Sequence, residues 1–203
     1  MKFMPRSEST RQFIIEATAR LFNTKGYEGT SMTDITEATG LTKGSVYGNF
    51  ENKEAVALAV FEYNSACMSA TIRKKMEGAV TNKDKLLTYA TLFSSTGFRS
   101  FPDGGCPLAN MAIEADDTNE AFRKKVAEEF VNWKKSIATL IQNGIIAKEF
   151  RQDVQVEKNA LSILALIEGS ILLTRATRNP HYADSIMDTL KDLIHNMEVK
   201  KAN

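Results

Sequence analysis

The sequence predicts an all-α protein of about nine helices. Apolar residues recur at spacings of three and four along nearly the whole chain, and no run alternates apolar with polar residues as a strand would. The breaks between the runs carry residues that start and stop helices. Neither an internal repeat nor a low-complexity segment interrupts the pattern.

Phe13, Ile14, Ala17, Leu21 and Phe22 form the stripe of a first helix, which ends at Lys25-Gly26, where glycine can take the left-handed cap. In Thr30-Ser31-Met32-Thr33-Asp34-Ile35 a hydroxyl residue can cap a second helix and an acid sits in its first turn. That helix is short and stops at Gly40. Thr42 can cap a third short helix through Phe50, and Asn52 a fourth, longer one from Lys53-Glu54-Ala55 to about Met76. Gly78 to Asn82 separates the fourth helix from the fifth. Phe101-Pro102-Asp103-Gly104-Gly105 is a turn, after which Pro107 can occupy the first position of a sixth helix. A long amphipathic run follows from about Asn119 to Asn143-Gly144, and another from about Val156 to Arg178. Asn179-Pro180 is a cap-plus-proline start for the last helix.

With 203 residues the chain is long enough for one large domain or a small domain joined to a larger one. A hydrophobic content of 43% with 25% charged residues belongs to an ordinary globular protein, not a disordered one. The apolar stretch from Ala160 to Leu173 is interrupted by Ser162, Glu168, Gly169 and Ser170, which reads as a buried helix and not a membrane span. The opening Met1-Lys2-Phe3-Met4-Pro5-Arg6 carries charge without an apolar region, so no export signal is expected. A cytoplasmic location with reduced thiols follows for Cys67 and Cys106, which have no metal-ligand spacing. The net charge is +1, and residues 1–53 hold seven basic against six acidic residues. Bulk charge therefore does not argue for nucleic acid, and the placement of charges must.

The informative segment is Thr30 to Lys53. Two short helices joined by a turn containing Gly40 can cross steeply, the helix-turn-helix arrangement. Ile35, Ala38, Leu41, Val46 and Phe50 are spaced to fill a small core among the first three helices. Thr42, Lys43, Gly44, Ser45, Tyr47, Gly48 and Asn49 remain outward on the third. Small and hydrogen-bonding residues at a helix tip let its backbone approach base edges in a major groove, and the helix start favours phosphate.

Thr10-Arg11, Ala17, Leu21-Phe22, Gly26-Tyr27, Thr30 to Ile35, Ala38, Gly40 to Tyr47, Phe50 and Lys53-Glu54-Ala55 together resemble the DNA-binding signature of the TetR family of bacterial regulators, over roughly residues 10–60. The resemblance implies a helix-turn-helix DNA-binding domain at 1–53 and a ligand-binding and dimerisation domain at 54–203. It implies a homodimer reading a palindromic double-stranded operator, and a small-molecule inducer that changes the separation of the two third helices. Carried over position by position, Thr33, Thr42, Tyr47 and Lys53 would contact phosphate, Ser31 would cap the second helix, and Lys43, Ser45 and Asn49 would read bases. Family members often carry an aromatic residue or histidine where Gly48 and Asn49 stand, so the chain departs from the pattern there. Lys2, Arg6 and Arg11 read equally as a tail or as a groove-seeking arm. Gly105-Cys106-Pro107-Leu108-Ala109-Asn110, with Glu114, Trp133 and Glu168-Gly169, is similar to one branch of these regulators, which suggests a sixth helix facing a pocket.

For that pocket, Phe61, Cys67, Met68, Phe93, Phe98, Met111, Phe130, Trp133, Ile137 and Ile167 are apolar and adaptable, suiting an apolar or aromatic ligand. Each is also an ordinary core residue at helical spacing. Cys106 sits where a helix start lowers a thiol's pKa, so an alternative is a thiol-based sensor of electrophiles or oxidants; the plainer reading is a small residue buried in a tight turn. On the eighth helix Ile163, Ile167 and Ile171, and on the ninth Ile186, Leu190, Leu193, Ile194 and Met197, are expected to form a two-fold interface. Gly169, costly in a helix interior, fits close helix approach there. The fourth helix, which joins the two halves, is the expected lever. The only histidines, His181 and His195, are both on the last helix, and no carboxylate pair or nucleophile–base spacing sets up catalysis. An enzyme is not expected, nor a cofactor or metal. A helical partner-binding module without DNA function is a second alternative, and repression against activation stays undecided.

Overall fold

A computed structural model describes residues 6–97, 103–115 and 119–199. Among these the chain is all-helical: α1 (Arg6–Lys25), α2 (Met32–Thr39), α3 (Lys43–Tyr47), α4 (Lys53–Met76), α5 (Asn82–Leu92), α6 (Pro107–Ala115), α7 (Glu120–Ile146), α8 (Val156–Thr177) and α9 (Pro180–His195). One isolated bridge between Phe150 and Glu198 is the only extended pairing among the described residues.

Capping chemistry sets the boundaries. Gly26 and Gly40 lie at φ +75° and +68° and close α1 and α2. Ser31 and Asp34 form a reciprocal capping box on α2, and Thr81 and Asp84 form one on α5. The Thr42 hydroxyl accepts from the Ser45 N–H at 3.2 Å, and Asn52 Oδ1 accepts from the Ala55 N–H at 2.8 Å. Pro107 and Pro180 occupy first positions, as the ring requires. α7 continues to Ile146, slightly past the Asn143-Gly144 stop expected of it. Gly144 is there for another reason: a Cβ on it would meet the Phe150 ring at 2.3 Å.

The chain packs as two compact units. The first comprises residues 1–68 and 102–126, so that α6 and the beginnings of α4 and α7 belong with the three N-terminal helices. The second comprises residues 69–101 and 127–203. Both α4 and α7 pass from one unit into the other. The packing units therefore differ from a division at Lys53, because α6 returns eighty-seven residues later to bond with α1.

In the first unit Ile14, Phe22, Ile35, Val46, Phe50, Val56, Val60 and Phe61 are buried. Phe13 is not in the α1 stripe as expected but 47% exposed, and Thr18 is buried instead, its hydroxyl donating to the Ile14 carbonyl at 2.7 Å. Ala38 likewise lies on the exposed face of α2, while Thr39 is buried and bonded to the Ile35 carbonyl. In both cases a threonine back-bonds to its own helix, which lets a polar residue take a core position.

In the second unit α8 runs along α9, and α5 packs on α9. α8 buries Ala160, Ile163, Leu164, Ile167, Ser170 and Ile171. α4 and α8 are each long and apolar enough to cross a membrane by length and composition, α8 being longer than the apolar stretch read in the sequence. That property is shared by core helices of globular proteins, and here it reflects one buried stripe per helix.

Candidate nucleic-acid interface

The helix pair α2–α3 forms a tight helix-turn-helix. Gly40, in the left-handed conformation with nothing near its missing Cβ, reverses the chain, and its N–H returns to the Thr36 carbonyl. Val46, Ile35 and Phe50 anchor the inner side. The outer side of α3 presents Thr42, Lys43, Gly44 and Tyr47 to solvent, with Ser45 and Asn49 half-buried. Tyr47 is 50% exposed, so it is not the core aromatic it could have been. Thr33, on the first turn of α2, is also exposed. Six of the seven interface residues expected from the sequence, Thr33, Thr42, Lys43, Ser45, Tyr47 and Asn49, thus gather on these two helices.

Asn49 and Lys53 also have internal partners. Asn49 Nδ2 donates to the Ser45 carbonyl at 2.9 Å, so the side chain folds back on its own helix. Lys53 Nζ donates to the Tyr27 carbonyl at 2.9 Å and lies 4.2 Å over the Tyr27 ring. Arg11 is part of α1, which answers the question of tail or arm for that residue. Its guanidinium lies 4.0 Å over the Phe50 ring and donates to the Asn49 carbonyl at 3.0 Å, closing the C-terminal end of α3. Asp34 pins the start of α2. The Lys25 ammonium, 2.6 Å away, and then the Ser31 N–H and hydroxyl hold its carboxyl well below the usual carboxylate range.

A polar interlock lies behind this face in the same unit. Buried Asn23 donates through Nδ2 to the carbonyls of Asp103, at 2.7 Å, and Gly105, at 3.1 Å. Asn110 Nδ2 donates to the carbonyls of Asn23, at 3.1 Å, and Gly104, at 3.0 Å. Gly104 stands at φ +103°, and a Cβ on it would meet the Asn23 carbonyl oxygen at 2.2 Å. The Tyr27 N–H donates to Glu114 Oε2 at 2.6 Å. No local pattern marks Asn23, and Tyr27, Asn110 and Glu114 stand in the sequence only as parts of motifs, because their partners are distant in the chain; the bond from Arg11 to the Asn49 carbonyl is equally invisible there.

The expected pocket residues separate between the units. Phe61, Cys67, Met68, Cys106 and Met111 belong to the first. Phe61 and Met111 line a small crevice of about 20 Å³, together with Phe22, Asn64, Asn110 and Glu114. Phe93, Phe130, Trp133, Ile137 and Ile167 belong to the second, and Phe98 lies outside the described residues. There Tyr89, Phe93 and Trp133 form a ring cluster, with centroids 6.0 to 6.5 Å apart. Trp133 is 8% exposed, yet its Nε1 makes no hydrogen bond. Burial pushes the Tyr89 hydroxyl up to about 12, and the neighbouring indole only partly offsets this. Ile137 and Ile167 are fully buried core residues. Cys106 is 3% exposed, which removes the accessibility that a thiol sensor requires and fits the tight-turn reading. Among the described residues no cluster of side chains could hold a metal ion.

The residues expected at the dimer interface divide by burial. Ile163, Ile167, Ile171, Leu190, Ile194 and Met197 are buried within the second unit's own core. Ile186 and Leu193 are half-buried on the other side of α9. The exposed apolar stripe of α8 is Leu161, Ala165 and Leu172, with half-buried Gly169 between them and open space at its missing Cβ. A 3.6-residue period permits two apolar stripes on one helix, and the sequence does not say which one faces inward.

Comparison with known proteins places these features in a family. Residues 14–60 match the model of the bacterial regulatory proteins of the tetR family, and residues 82–190 match the tetracyclin repressor-like C-terminal domain. An HTH-type transcriptional regulator from Lactococcus lactis subsp. lactis is 30% identical over 90% of this chain and 92% of its own. The transcriptional repressor DhaR from Mycobacterium sp. (strain GP1) is 28% identical, covering 87% of this chain and 88% of its own. The crystal structure of a TetR-family regulator from Cytophaga hutchinsonii superposes with a TM-score of 0.95 at 53% identity, over 98% of this chain and 100% of that one.

Proposed function

The chain belongs to the TetR family of DNA-binding transcriptional regulators, which are not enzymes, and from that premise we propose that it is a repressor. Acting in the cytoplasm as a homodimer, it holds a palindromic operator and leaves it when a small apolar or aromatic inducer binds. The observation that carries the reading is the outer face of α3. There Thr42, Lys43, Ser45 and exposed Tyr47 surround two glycines, leaving a helix tip that can enter a major groove without a bulky side chain in the way. Similarity to the repressor DhaR supports repression over activation.

In this reading residues 1–53 grip DNA and 54–203 sense and pair. Thr33, Thr42, Tyr47 and Lys53 hold phosphates; Lys43 and Ser45 read bases, with Asn49 committed to its own helix until it is released. Two subunits pair through the exposed stripes Leu161, Ala165, Gly169 and Leu172 on α8 and Tyr182, Ile186 and Leu193 on α9. Gly169 is what lets two helix backbones approach. The pairing sets the two α3 helices about 34–36 Å apart, one turn of B-DNA. Inducer binds beside the ring cluster of Tyr89, Phe93 and Trp133, whose apolar faces suit an aromatic molecule. A coupling of ~1–3 kcal/mol would lower operator affinity roughly 5- to 150-fold.

The test is a gel shift on duplexes selected from a random pool by the purified protein. Retention should fall steeply between 50 and 200 mM salt, as phosphate contacts require. Lys43→Ala should relax base preference at one position of each half-site. Absence of any salt-sensitive, sequence-dependent retention, or a monomer at micromolar concentration, would overturn the reading. Trp133 is the one tryptophan, so its fluorescence reports inducer candidates directly.

A further inference from the structure

Lysine is ordinarily a flexible, strongly hydrated point charge. Lys53 is not free to behave so. One of its three ammonium donors goes to the Tyr27 carbonyl at 2.9 Å, and the charge lies 4.2 Å over the Tyr27 ring. Two donors remain for a phosphate oxygen, so the geometry pre-organises the contact. Tyr27 is itself held from the opposite direction. Its N–H donates to Glu114 Oε2 at 2.6 Å, and its ring meets Phe122 edge-on at a centroid distance of 5.0 Å. Gly26, at φ +75°, makes room for this: a Cβ there would stand 2.0 Å from Glu114 Oε1. The carboxylate on α6 therefore reaches the backbone just past α1, and that backbone holds the cation at the start of α4.

We propose that Glu114 is a positioning residue for DNA binding, acting through Tyr27 to hold the Lys53 ammonium where a phosphate will lie. The inference rests on the reading of Lys53 as a phosphate contact. Lys43 and Ser45 take no part in the chain of bonds, so loss of Glu114 weakens binding to every sequence alike and leaves base preference intact. A shift of α6 is accordingly felt at Lys53 without any movement of α3 on its own axis. This makes α6, and not only α4, a route by which the sensing residues can loosen the grip.

A double-mutant cycle on the full-length protein tests it, with a labelled duplex selected by the wild type and dissociation constants measured across a salt series. Lys53→Ala and Glu114→Ala should each weaken binding by about tenfold, the value of a charge-assisted hydrogen bond. Each should also lower the salt slope by about one per lysine. In the Lys53→Ala background, Glu114→Ala should cost less than twofold more. Glu114→Gln, which keeps an oxygen for the Tyr27 N–H, should recover most of the binding. Where Glu114→Ala does not fold, Glu114→Asp, a carboxylate too short to reach Tyr27, takes its place in the cycle. Equal losses in both backgrounds, or an unchanged slope, would overturn the positioning role and leave the repressor reading standing. Failure of the wild type to bind any duplex would remove that reading, and this inference with it.

Discussion

Around Asn23 the chain is held by directional bonds, whereas around Ile163 it is held by apolar contact. In the first place two amide side chains, buried Asn23 and half-buried Asn110, tie α1 to the carbonyls of Asp103 and Gly105 and to α6, across eighty residues or more. In the second, Ile163 and Ile167 on α8 lie in a core with Leu190 and Ile194 on α9. A polar tie there is the Ser170 hydroxyl, which donates to the Phe93 carbonyl at a long 3.4 Å. Directional bonds fix one arrangement and leave an unsatisfied buried group when broken. Apolar contact is graded in volume and tolerates conservative replacement. The DNA-side unit, whose geometry must match a groove, carries the first kind. The second unit carries the second kind around Ile163, and keeps its directional bonds at its edges, where the Glu149 and Asp184 carboxylates accept from the N–H groups of Lys83 and Ser95.

The widest effect expected from this contrast is at Gly104. Gly104→Ala combines a positive φ with a backbone obstacle at 2.2 Å, and should cost about 4 kcal/mol, as backbone strain and overpacking add. Urea midpoints measure it, and no replacement at Asn23 should rescue it, because the obstacle is a main-chain carbonyl. In the apolar region, Ile163→Ala should cost about 3 kcal/mol and Ile163→Val about 1 kcal/mol, a graded response by the same measurement. An all-or-none response at Ile163 would break the comparison. Gly144→Ala lies between the two. Its obstacle is the Phe150 ring at 2.3 Å, a side chain, so a cost of about 2 kcal/mol should be largely relieved by adding Phe150→Leu.

The smallest effect is at Asp34, whose half-buried carboxyl is depressed by Lys25 and Ser31. A depressed folded-state pKa means that its contribution is present above the ordinary value of 3.8 and is lost as pH falls through the folded value. The urea-midpoint gap between wild type and Asp34→Asn should therefore be constant from neutral pH to about 5 and close in stronger acid. A gap that widened on acidification would reverse the sign.

What could be read from residues alone follows the range of each interaction. Helix ends depend on groups within four residues of one another, so Gly26, Gly40, Thr42, Asn52, Pro107 and Asn179 announced their boundaries. The α2–α3 motif is equally local, and the spacing of Ile35, Val46 and Phe50 already leaves Thr42, Lys43 and Tyr47 outward. Phe13 and Ala38 were misplaced because the period marks an apolar face without saying how much of it is covered, and a back-bonded threonine can take the inner position.

Local periodicity and capping thus determined by themselves the nine helices found among the described residues, with a helix-turn-helix near the start of the chain. Only tertiary structure decided that Ile163, Ile167 and Leu190 face inward while Leu161 and Leu172 are exposed and Ile186 is half-buried. It alone decided that Lys53 rests on Tyr27, and that Glu114, eighty-seven residues away in the chain, holds Tyr27. The physical reason is that a helix's pattern depends on its own turns, whereas a hydrogen bond or a buried face also depends on which distant residue arrives to meet it.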